Sequence, residues 1–176
     1  MCIMQLDICR TCISKMRITL FFACCWIGFG LLAQKNPSGS VAKITPDERL
    51  NSLMDAWHKN ATLAKFDEYF AATTDDFVFY GTAPAEKWDK EAFKTFCKPY
   101  FDSTQTWRFT PSNRVWNFSK DGKIAWFDED LQTWMLDCRG SGVCEKTKKG
   151  WKLAYYNLSV VIENEKIQEF IKLRKN

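Results

Sequence analysis

The sequence predicts an α+β domain in which a curved antiparallel sheet wraps amphipathic helices. Four long stretches rich in Trp, Phe, Tyr and Val fill the C-terminal half, between Trp107 and Val161. Turn signals at Asp121-Gly122 and Lys149-Gly150 punctuate them. Before them come helical patterns, each with a single apolar stripe. Gly140 and Gly142 alternate on one face of a strand. They leave room for a large neighbour such as Trp126 or Tyr155, or let the sheet curl. Long strands must bury one face, and the helices are the available cover, so the curled sheet should enclose a conical cavity.

The elements follow in chain order. Thr45, Pro46, Asp47 and Glu48 form a helix start, with a cap, a proline in the first turn and a glutamate three residues after the cap. Leu50, Leu53, Met54, Trp57 and Ala61 then recur at helical spacing. Phe66, Tyr69, Phe70 and Thr73 suggest a short second helix, broken at Asp75-Asp76. Residues 76–81 read as a strand and the next seven, to Trp88, as a loop. Asp89 caps a third helix bearing Phe93, Phe96, Cys97 and Tyr100, which Pro99 bends or ends. After the strands, a final helix turns Ile167, Phe170 and Ile171 inward.

At 176 residues the chain has room for one ordinary domain, and 46% hydrophobic content supports a substantial core. Its net charge of +4 falls to about +2 beyond residue 33, because Arg10, Lys15 and Arg17 face only Asp7 in the leader. No basic face or run stands out, so nucleic acid is not an expected partner. Lys15-Met16-Arg17 precede a 16-residue uncharged run ending at Ala33. This is the pattern of a secretory signal peptide over residues 1–33, with Met16 a natural start. It is short for a spanning helix. The expectation is an exported protein, periplasmic or secreted, with a polar linker over 34–45. An uncleaved membrane anchor, or acylation at Cys24 or Cys25, are the alternatives.

Five of the eight cysteines lie in that leader, leaving Cys97, Cys138 and Cys144. Cys138 and Cys144 sit roughly 20 Å apart along one strand, beyond disulfide reach. Buried free thiols are expected.

Polar groups among the aromatic strands are the candidates for a site, because an inward polar side chain needs a partner. Asp128, Glu129, Asp130, Arg139 and Asn157 are the main ones. Asp128 is either a pocket base with its pKa raised by apolar neighbours, or the ion-pair partner of Arg139. Register decides: one turn position opposes Asp128 to Arg139, and a one-residue shift opposes Glu129 to it. Arg139 could instead hold a ligand carboxylate. His58, the one histidine, sits at the edge of the first helix's stripe, as a pocket-mouth proton carrier or as a boundary residue satisfied by solvent or a carboxylate. Tyr80 could donate a hydrogen bond. Trp57, Trp88, Trp107, Trp126 and Tyr156 are core or the lining of a cavity for a flat apolar ligand. One histidine and scattered cysteines argue against a metal site. No phosphate-loop, nucleophile-elbow, zinc-protease or dinucleotide motif is present, and no cofactor is expected.

Several segments together carry a resemblance: the stretch from Ala56 to Trp88, then FKTFCKPYF, IAWFDEDL, CRGSGV and WKLAYYNLS. In this order and spacing the chain resembles the SnoaL-like branch of the nuclear transport factor 2-like superfamily. The resemblance implies a cone-shaped α+β barrel over residues 46–161, followed by a C-terminal helix or tail over 162–176. It also implies a hydrophobic pocket and a homodimer through the sheet. Cyclases, isomerases, dehydratases and non-catalytic interaction modules share this fold, so fold does not settle activity. Members with catalysis use a pocket aspartate, here Asp128, with a histidine or tyrosine. Tyr155 and Asn157 stand where relatives often carry histidines. The expected role is binding of a small, largely apolar molecule. An enzyme using Asp128 with His58 or Tyr80, and an interaction module, remain alternatives.

Overall fold

The structure, a computed structural model, describes residues 45–175. The expected signal peptide, and the linker as far as residue 44, lie outside the described residues. Helix α1 (Pro46–Thr62) opens on the expected capping box: Glu48 N donates to Thr45 Oγ1 at 3.3 Å, and Thr45 N donates to the Glu48 carboxylate at 2.7 Å. Its buried face is Leu50, Met54, Trp57, His58 and Ala61. Helix α2 (Phe66–Ala71) buries Tyr69 and Phe70. Strand β1 (Thr73–Tyr80) is followed by a short β2 (Lys87–Asp89), and then α3 (Lys90–Asp102), capped by Asp89. The long strands are β3 (Thr110–Phe118), β4 (Ile124–Thr133), β5 (Leu136–Thr147) and β6 (Gly150–Val160); α4 (Ile167–Arg174) closes the chain.

Six strands form one curved, unclosed sheet in the order β2-β1-β6-β5-β4-β3, with α1, α2 and α3 packed against it. The α+β class and the curved sheet are as the sequence predicts. Several details differ. β1 begins at Thr73, ahead of the expected break, because Asp75 and Asp76 stand exposed where its pairing with β6 shifts register. That pairing is parallel, the one exception in an otherwise antiparallel sheet. The expected loop ends in β2, which places Trp88 opposite Phe79. α3 continues three residues past Pro99. On α4, Ile167 is exposed and Phe170 and Ile171 are half-buried, so this helix lies on the surface of the domain and is not part of the core.

The two β5 glycines do admit large neighbours, but from the inner face. Tyr156 lies over Gly140 and Phe127 over Gly142, in place of Trp126 or the Tyr155 ring. A Cβ at Gly140 would stand 2.1 Å from Tyr156 Oη and 3.0 Å from Glu129 Oε1. Cys97, Cys138 and Cys144 are buried free thiols. Gly140→Ala is therefore expected to destabilise the domain by about 1–3 kcal/mol, read as a lower urea midpoint at unchanged slope.

Candidate functional site

Strand β4 alternates strictly. Ala125, Phe127, Glu129 and Leu131 face the core, while Trp126, Asp128 and Asp130 face out. Glu129 is thus carried inside, at 1% exposure, among aromatic rings. A bare carboxylate there would be costly, and it is not left bare. Its Oε1 lies 2.7 Å from His58 Nε2 of α1 and accepts from Tyr156 Oη of β6 at 2.8 Å. Its Oε2 accepts from Arg114 Nε of β3 at 2.8 Å, with Arg114 Nη2 also 2.8 Å away. An ionised carboxylate facing His58 Nε2 requires that nitrogen to carry the proton.

Arg114 reaches this position through a bulge. Ser112 pairs with Asp130 and Val115 with Asp128, so Asn113 and Arg114 together oppose Glu129. Asn113 takes φ 51°, a left-handed conformation that asparagine tolerates better than most residues. Its Nδ2 donates to Asp130 Oδ2 at 3.0 Å. Arg114 Nη1 continues to Asp55 Oδ1 (2.9 Å) and Asn51 Oδ1 (3.1 Å) on α1, and Trp116 Nε1 donates to the same Asn51 oxygen at 2.8 Å.

Burial alone would raise the pKa of Glu129. The His58 hydrogen bond and charge, the Arg114 charge and the Tyr156 hydrogen bond outweigh it and hold the carboxyl below its usual value of 4.5. Tyr156 is pushed well above 10.0 by burial and by the Glu129 charge, and stays a donor. Burial raises Cys97, and raises Cys144 to about 12, so neither is a ready thiolate. With both oxygens occupied, Glu129 has no free acceptor for a substrate proton.

Beside this cluster an aromatic cleft of about 290 Å³ opens between β1, β2, α3 and the β4–β5 turn. Phe79, Trp88, Phe93, Phe96, Trp107 and Phe109 wall it, with Trp134 and Met135 at the turn and Glu86 and Thr82 as polar groups. Phe79 packs 5.9 Å from the Tyr156 ring and Phe109 6.3 Å from His58, so the charged cluster lies one ring behind the wall.

Of the sequence candidates, Glu129, His58, Tyr156 and Trp57 converge in the buried cluster, and Trp88 and Trp107 line the cleft. The inward placement expected for Asp128 is corrected. It is exposed on the outer face, where its Oδ1 accepts from Ser141 Oγ at 2.6 Å. Arg139 pairs in register with Asp130, a register neither expectation placed, and is also exposed. The cause is the two-residue turn at Trp134-Met135, which sets Thr133 opposite Leu136. Trp126 (44% exposed), Tyr80 and Asn157 belong to that outer face, and Asn157 Nδ2 donates to Ser159 Oγ at 3.0 Å. Asp128, Tyr80 and His58 therefore do not meet. Arg114 and Asn51 were missed, although Arg114 shares its strand parity with Trp116 and Phe118. Among the described residues no group of three His, Cys, Asp or Glu is placed to hold a metal ion.

Residues 50–163 match the SnoaL-like domain family, and the chain belongs to that family. No curated protein matches it. Solved structures share the fold at low identity. A nuclear transport factor 2-like protein of unknown function from Pseudomonas putida is 13% identical over 70% of this chain and 93% of its own, with a TM-score of 0.57. Two proteins from Novosphingobium aromaticivorans are also similar. One, a candidate aromatic ring hydroxylase, is 18% identical over 69% of this chain and 94% of its own, TM-score 0.56. The other, a candidate scytalone dehydratase, is 13% identical over 66% and 84%, TM-score 0.55.

Because Glu129 has its pKa depressed on folding, its contribution is present above about pH 4.5 and is lost as pH falls through the lower folded value. Glu129→Gln should destabilise the domain by about 3 kcal/mol at neutral pH and make its acid-induced loss of stability shallower than in the parent, measured by urea unfolding from pH 7 to pH 3.

Proposed function

We propose that this chain binds a small, flat, largely apolar molecule in the aromatic cleft. The observation that carries the reading is the cleft itself, a recess of about 290 Å³ lined by eight aromatic side chains with few polar groups. Such surfaces are the usual lining of small-molecule sites, with polar groups fixing orientation. Trp88 stacks on Phe96 at 4.5 Å, and Phe79 on Phe93 at 4.1 Å, so the walls are already rigid. The names of the two Novosphingobium proteins suit the same kind of ligand. Binding is favoured over acid–base turnover at the buried cluster, because Glu129, one ring behind the cleft wall, has both oxygens engaged.

Export and self-association belong to the proposal too. The basic and apolar leader supports export. The outer sheet face, with Trp126, Val115 and Val160 exposed, supports a homodimer. N-terminal sequencing of the mature protein and sedimentation velocity test these two points.

For the cleft, calorimetric titration with naphthalene-sized aromatics is expected to give saturable binding. Trp88→Ala should weaken it by about tenfold, the loss of one buried aromatic anchor. Asp128→Asn should leave both stability and affinity unchanged, since that side chain lies on the outer face. Affinity lost in Asp128→Asn and kept in Trp88→Ala would place the site elsewhere.

A further inference from the structure

Of the residues that line the aromatic cleft, Glu86 alone carries a formal charge. It stands at the end of the loop 81–86 between β1 and β2, which is closed on itself. Gly81 N donates to Glu86 O and Glu86 N donates to Ala83 O, both at 2.9 Å. The half-buried side chain folds back over Gly81, where a Cβ would stand 2.2 Å from Glu86 Oε2 and 3.0 Å from its Cδ. The bare backbone of Gly81 thus gives the carboxylate its seat.

The loop itself uses half of this group. Glu86 Oε2 accepts from Ala83 N at 3.0 Å, and no hydrogen bond or ion pair among the described residues reaches Oε1. A serine or asparagine would serve the turn as well, so the charge and the second oxygen exceed what the turn requires. Lys87, next in the chain, does not neutralise it: its Nζ lies over the Tyr80 ring, 5.8 Å from the centroid, on the outer face. The walls favour the same kind of partner. Trp88, Trp107, Trp134 and Tyr100 all line the cleft, and such rings attract a cation within about 6 Å of their centroids. A carboxylate beside low-dielectric walls also draws cations into a recess and repels anions.

We propose that the cleft selects a flat aromatic molecule bearing one cationic nitrogen, an ammonium or alkylammonium group held by the free oxygen of Glu86. This deepens the proposed function and rests on it. A protonated amine supplies N–H donors to that oxygen, and its charge offsets the carboxylate, so neither group is left unpaired on binding. The apolar body of the ligand lies among the rings. A ligand carrying a carboxylate would instead set two like charges side by side.

The test uses the full chain and three probes on one ring system, 2-naphthylmethylammonium, 2-naphthylmethanol and 2-naphthoate, titrated by calorimetry at low salt. The parent protein should bind the ammonium about tenfold tighter than the alcohol, and the naphthoate most weakly. Glu86→Gln keeps an acceptor for Ala83 N and removes the charge. It should cut the preference for the ammonium to about twofold, the part owed to the rings, and leave the alcohol's affinity and the melting temperature unchanged. Trp88→Ala, by contrast, should weaken all three probes together. Equal affinities for the ammonium and the alcohol in the parent overturn the cation selection while the cleft reading stands. A preference that Glu86→Gln leaves intact overturns it too. Should that variant melt early, salt decides on the parent alone: the preference should shrink at high salt, and one unmoved by salt overturns the assignment. Failure of all three probes to bind overturns the cation selection and the cleft reading together.

Discussion

The fold turns on one buried carboxylate. Removing Glu129 from water carries a penalty of several kcal/mol, and only close, well-aimed donors offset it. They come from three separate elements: His58 from α1, Arg114 from β3 and Tyr156 from β6. None of the three is near Glu129 in sequence, so the charge is satisfied only when the helix lies across the sheet in one position. Hydrophobic burial alone would tolerate sliding. A charge that must meet three partners does not, and Arg114's further bonds to Asn51 and Asp55 tie the same helix at two more points.

That constraint leaves the rest of the interior free to be aromatic. Trp57, Tyr69, Phe93 and Tyr156 pack in stacked and tilted pairs between α1, α2 and the sheet. The sheet does not close, and near the β4–β5 turn the rings separate into a cleft instead of meeting. A rigid charged clamp behind the wall and an apolar recess in front of it divide the two tasks, holding the fold and offering a surface. Membership of the SnoaL-like family is compatible with many activities, and the assignment of a role here depends on these particular side chains.

Much of this was legible in the residues. The capping box at Thr45, the hairpin at Asp121-Gly122 and the four late strands are local signals and appear where the pattern puts them. Strand parity on β4 could have marked Glu129 as inward, since Ala125, Phe127 and Leu131 share its phase, but the reading of the residues left Asp128 and Glu129 as alternatives. What misled was the pairing of Asp128 with Arg139. A two-residue change of register exchanges one partner for another without altering which face either residue occupies, and hydrophobic alternation is blind to such a shift. Arg114 was hidden for a related reason. The bulge at Asn113 brings two residues opposite Glu129, and a bulge has no period to read.

The sequence by itself determined the class of fold and the order of its helices and long strands. These follow from turn chemistry and from periods of two and 3.6, which act over a few residues. Only the tertiary structure decided that Glu129 meets His58, Arg114 and Tyr156, that Asp128 stands outside, and that Trp57 Nε1 and Tyr69 Oη lie in the core without hydrogen-bond partners. Those outcomes depend on register, on a bulge and on where a helix comes to rest. Each is set by contacts between residues far apart in the chain, whose energies no local pattern contains.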